Sequence, residues 1–166
     1  MQPEELRERA MWALEHAERF RPVRSDVLLR LWRYPAFYVW RSWTVFGGVH
    51  GLHLVREVLW NQPCQVARLF DPLHGLRELG KPLPMFRVQE STVPTGPLAP
   101  LIARARELFP PPPEPDEIVL DGEGRGAVVV LDGEELRAEW WCGLTEEWRP
   151  LIEWADELQA LLTGEA

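Results

Sequence analysis

The sequence predicts an α+β fold: antiparallel hairpin and meander strands forming one or more sheets, with helices packed on one face. Three observations lead there. Runs rich in aromatic and β-branched residues at 36–46, 52–60, 84–93, 127–131 and 136–141 have the composition of strands. Short glycine-bearing connections, Gly47 to Gly51 and Asp132-Gly133, join neighbouring runs as hairpins. Apolar residues recur at helical spacing near residues 4–20, 95–109 and 145–162.

Taken in order, the first helix places Leu6, Ala10, Ala13, Ala17 and Phe20 on one face, with Glu4 and Glu5 in the turn that the helix dipole favours for anions. Arg21-Pro22 ends it. Residues 23–35 are ambiguous. Val27, Leu28, Leu31 and Trp32 suit a short helix capped by Ser25 or Asp26 and closed by Pro35. Residues 36–46 and 52–60 then form a hairpin. After Asn61-Gln62-Pro63, residues 64–70 read as a short strand and 71–80 as a short helix, with Pro72 at its first position. Residues 84–93 alternate as a half-buried strand. Thr95-Gly96-Pro97 opens a helix whose apolar face is Leu98, Leu101, Ile102, Ala105, Leu108 and Phe109. Ile118 to Leu120 is a strand, Asp121 to Gly126 a glycine-rich turn, and 127–131 and 136–141 two further strands. Thr145 caps the last helix, with Glu146 and Glu147 in its first turn and a stripe of Trp148, Leu151, Ile152, Ala155, Leu158 and Leu162.

Charge divides the chain. Residues 1–109 carry fifteen basic and eleven acidic side chains, whereas 110–166 carry three basic and fifteen acidic, within a net charge of −8. The division falls at Pro110-Pro111-Pro112-Pro113-Glu114-Pro115. The organisation read from this is a mildly basic N-terminal part at 1–109, a proline-rich spacer at 110–116 and an acidic meander-plus-helix unit at 117–166, or one domain throughout. The spacer reads as a short, semi-rigid polyproline segment. Two widely separated cysteines, Cys64 and Cys142, fit a reduced compartment better than a disulfide framework. The N-terminus lacks the apolar core of a secretory signal, and no apolar run has membrane-spanning length, so the expected location is cytoplasmic with no membrane partner.

No arrangement of residues names a reaction. His50 and His53 are the closest histidine pair, and they are the weak candidates for a metal site or for a small enzyme centred on the 47–53 loop. On a strand they would point to opposite faces. Gly122, Gly124 and Gly126 precede a strand, which is the wrong context for a phosphate loop, and read as turn glycines. Arg19, Arg21, Arg24, Arg30, Arg33 and Arg41 interleave with aromatics in the manner of a nucleic-acid surface, yet the net charge opposes backbone binding, and internal pairing with the acidic C-terminal part is preferred. Trp140 and Trp141 must face opposite sides of their strand, so both sheet faces are covered or one indole is exposed. Trp154 lies about 120° round its helix from Trp148, off the apolar stripe.

The function expected from these features is a small non-enzymatic protein-binding module with an acidic interaction surface, a toxin-neutralising immunity-type protein being one concrete form. Its candidate binding residues are Trp141, Trp154, Glu134, Glu135, Glu146 and Glu147. The partner would be a protein of basic character, and no cofactor is implied. A small enzyme at the 47–53 loop and a structural subunit of a larger complex are the alternatives.

Overall fold

The computed structural model describes residues 3–21, 23–36, 38–61, 84–109, 111, 123–141 and 146–165. The expected elements at 64–80 and 118–120, the spacer apart from Pro111, Gly122, the expected cap Thr145 and both cysteines lie outside the described residues. The elements are α1 (Pro3–Glu15), β1 (Val27–Pro35), β2 (Trp40–Val49), β3 (Leu52–Trp60), β4 (Phe86–Pro94), α2 (Thr95–Leu108), β5 (Glu123–Leu131), β6 (Glu134–Trp141) and α3 (Arg149–Thr163). Single 3-10 turns at Ala17–Arg19 and Glu146–Trp148 follow α1 and precede α3.

The fold is α+β. Its six strands form one antiparallel sheet in the order β4-β3-β2-β1-β5-β6. The first four strands make a meander, and the β5–β6 hairpin returns to the free side of β1. Strands from both sides of the proline run therefore share one ladder, Leu29 opposite Val129 through Pro35 opposite Glu123.

Residues 27–35 are a strand, not the short helix that their spacing suits. Leu29 and Leu31 point to one face of the sheet, and Trp32 and Tyr34 to the other. Because both faces are covered here, the segment is apolar at odd and even positions, and alternation no longer marks it as a strand. Helices α2 and α3 pack on one face as expected, over Leu29, Leu31, Trp43, Val45, Val55 and Val129. Helix α1 departs from that expectation. It lays Leu6, Ala10 and Leu14, with Ala17 of the turn that follows, across the opposite face, on Trp32, Trp40, Val58 and Trp60. Phe20, expected on that stripe, is 38% exposed and meets Phe86 edge-on at 5.0 Å.

Arg56 of β3 anchors α1 to the sheet. It is fully buried, and donates to the carbonyls of Ala17 (3.0 Å) and Arg21 (2.7 Å) and to the Glu90 carboxylate (2.8 Å). Chain ends of helices leave carbonyls unsatisfied. One guanidinium, with its rigid fork of donors, serves the turn after α1 and the neighbouring strand together. The hydrogen bond from Arg56 holds the Glu90 carboxyl below its ordinary pKa.

The β2–β3 connection is tighter than the five-residue turn expected at 47–51. Gly47 and Gly48 belong to β2, whose register shifts between Phe46 and Val49, and the turn is His50-Gly51, both at positive φ. A Cβ at Gly48 would fall 1.6 Å from the Leu52 carbonyl oxygen, so glycine is required there by space.

Candidate functional site

The two ends of β6 differ. At its far end Trp140 is 3% exposed and Trp141 is 58% exposed, so consecutive indoles divide between core and solvent. Trp141 lies against Gly124 of β5, its register partner, with ring carbons 3.4 Å from where a Cβ would stand. Two positions on, Gly126 accepts the indole of Trp32, whose ring atoms come within 2.2 Å of the Cβ position. Gly124 and Gly126 are thus strand residues, not the turn glycines expected. Their i, i+2 spacing puts both on one face, where each makes a recess for a tryptophan from a neighbouring strand. Trp141 thus rests against Gly124 on one side and stays 58% exposed to solvent.

Charges frame this surface. Arg137 donates to Glu139 (2.8 Å) and to Glu15 of α1 (2.9 Å), and its guanidinium lies 5.0 Å from the Trp32 ring centre. Tyr34, on the same register line as Gly124 and Trp141, points its hydroxyl toward Glu15. Burial first, then the Glu15 carboxylate, hold that phenol far above its ordinary range. The same register line sets the β1–β2 turn at this end of the sheet, and its Tyr38 is 72% exposed. Glu146 and Glu147, both exposed, lead into α3, which packs on the sheet face opposite Trp141; Glu146 pairs with Arg149.

The other sequence candidates separate from this group. Glu134 and Glu135 are exposed at the opposite end of β6, seven and six residues from Trp141 and therefore about 20 Å away along an extended strand. Glu135 lies 3.6 Å from Arg30. Trp154 is fully buried and donates its indole N–H to the Leu101 carbonyl at 2.8 Å. It is a core residue, because the flank of α3 that carries it packs on α2. The preferred internal pairing of basic and acidic parts is present in Arg33–Glu123, Arg30–Glu135 and Arg104–Glu157.

His50 sits exposed at the hairpin tip. His53 turns inward, its Nε2 3.0 Å from the Thr95 hydroxyl, beside a shallow apolar groove lined by Leu28, Ile102 and Leu131. Among the described residues no cluster of three metal-ligating side chains forms. Among them, too, no helix is long and apolar enough to cross a membrane. No family model, curated protein or solved structure matches this chain, and the functional reading rests on its own residues.

Proposed function

We propose that this chain is a small cytoplasmic, non-enzymatic protein-binding module. It would meet a basic partner through the aromatic and acidic surface at the Trp141 end of the sheet, as a toxin-neutralising immunity-type protein would. The observation that carries this reading is Trp141, 58% exposed on an edge strand and laid against Gly124. A large exposed aromatic is the residue type that dominates binding energy at protein interfaces. Exposed Glu146 and Glu147, in a chain of net charge −8, would speed capture of a basic partner more than they would tighten the final complex.

Affinity capture from native lysate at low and high salt tests the proposal. The expected result is a basic protein held by the wild type, released by salt, captured poorly by E146Q/E147Q and lost with W141S. Capture that ignores salt and survives both variants would reject it.

A further inference from the structure

A second feature lies on the opposite face of the sheet from Trp141. One register row there reads Arg87 (β4), Leu59 (β3), Arg41 (β2), Arg33 (β1), Arg125 (β5) and Trp140 (β6). Residues directly opposite in antiparallel strands point to the same side, and strands stand about 4.8 Å apart. Four arginines from four strands therefore fall on one line beside α3. Like charges facing each other across strands destabilise a sheet unless anions intervene.

The anions that the described residues supply are unevenly shared. Glu123 receives two bonds from Arg33, one of them at 2.9 Å, and a third from Arg125 at 3.1 Å. Asp156 of α3 takes Arg125 at 2.5 Å. Arg33 and Arg125 are thereby compensated. Arg41 has only Glu57, at 3.6 Å, too long for a hydrogen bond. Arg87 is in ion-pairing distance of no carboxylate among the described residues, Glu57 acting on it only from farther off. Arg41 is 46% exposed through its side chain, Arg87 is exposed, and half-buried Leu59 lies between them.

We propose that Arg41 and Arg87 bind a phosphate monoester, with Leu59 as the floor between them. The two arginines stand one strand apart on either side of Leu59, about 10 Å between backbones, a distance that two long side chains close from opposite sides. A guanidinium fork pairs with two oxygens at once. A phosphate monoester carries three oxygens and close to two charges, and takes both forks together. Glu57, on the same face of β3 as Leu59, faces both Arg41 and Arg87 and is the internal competitor for the pair.

Titration of the whole chain with inorganic phosphate and with a phosphoserine peptide, followed by amide and arginine side-chain NMR at constant ionic strength, tests this. Saturable shifts at Arg41, Glu57, Leu59 and Arg87 are expected with phosphate and absent with chloride. Affinity should fall at least tenfold in R41Q/R87Q, which alters exposed side chains only, rise several-fold in E57Q, and stay unchanged in W141S. A phosphopeptide binding much more tightly than free phosphate would identify a protein-borne group; equal affinity would identify a small phosphorylated ligand. Unaltered binding in R41Q/R87Q, no gain in E57Q, or equal binding of the peptide with glutamate in place of phosphoserine would overturn the assignment.

Discussion

Replacing Arg56 with methionine should be among the most damaging single changes in this protein. Methionine keeps much of the length and apolar stem but removes the donors. The carbonyls of Ala17 and Arg21 lose bonds of 3.0 and 2.7 Å, and Glu90 loses its partner at 2.8 Å. Removing one member of a buried pair costs about 3–5 kcal/mol. Glu90 retains 28% side-chain exposure and can turn to water, and methionine recovers some packing, so the lower end applies, about 3 kcal/mol. For a domain of this size each kcal/mol lowers Tm by about 2–4 °C, giving a fall of about 6–12 °C. Urea titration by circular dichroism with a matching thermal melt measures both numbers. Arg56→Lys should fall between, because one ammonium cannot reach both the turn after α1 and Glu90. A methionine variant that melts within about 2 °C of wild type would refute the anchoring role.

The remaining predictions concern the glycine recesses, the Glu90 titration and the Trp154 hydrogen bond. Gly126→Ala forces the buried Trp32 ring from its place and should cost about 2–3 kcal/mol by urea titration, whereas Gly124→Ala sets a Cβ at ordinary contact distance, 3.4 Å, from Trp141 and should cost under about 0.5 kcal/mol. Glu90 has a lowered pKa in the folded state, so its ionised form adds stability above the ordinary carboxylate range, and that stability is lost as pH falls through the folded value. Denaturation at stepped pH should show Glu90→Gln with a shallower acid loss than wild type. Trp154→Phe removes the bond to the Leu101 carbonyl and should cost about 1–3 kcal/mol, with no change in partner capture.

Local pattern made much of this molecule legible. The helices at 95–108 and 149–163 and the hairpins declare themselves through period and turn chemistry. The failures have specific physical origins. Strand β1 was obscured because cover on both faces removes the polar half of its alternation. Gly124 and Gly126 resemble a turn by composition, and only the i, i+2 spacing beside tryptophans hinted at indole recesses. Trp154 looked free because a helix wheel shows one element, while burial was decided by α2. The arginine row was wholly hidden. Arg33 and Arg41 stood out as basic residues among aromatics, but their alignment with Arg87 and Arg125 depends on register across five strands, a long-range property. The same distinction explains the acidic pairs. Glu134 and Trp141 are close in sequence, yet an extended strand carries them to its opposite ends.

Hydroxyl-radical footprinting of the captured complex addresses the Trp141 surface most directly, since oxidation of each exposed tryptophan is read separately. Trp141 and Trp12 are 58% and 51% exposed, and Trp12 lies on α1, stacked on His16. The account predicts that partner binding slows oxidation of Trp141 severalfold and leaves Trp12 at its free rate. Unchanged oxidation of Trp141 in a saturated complex would contradict it.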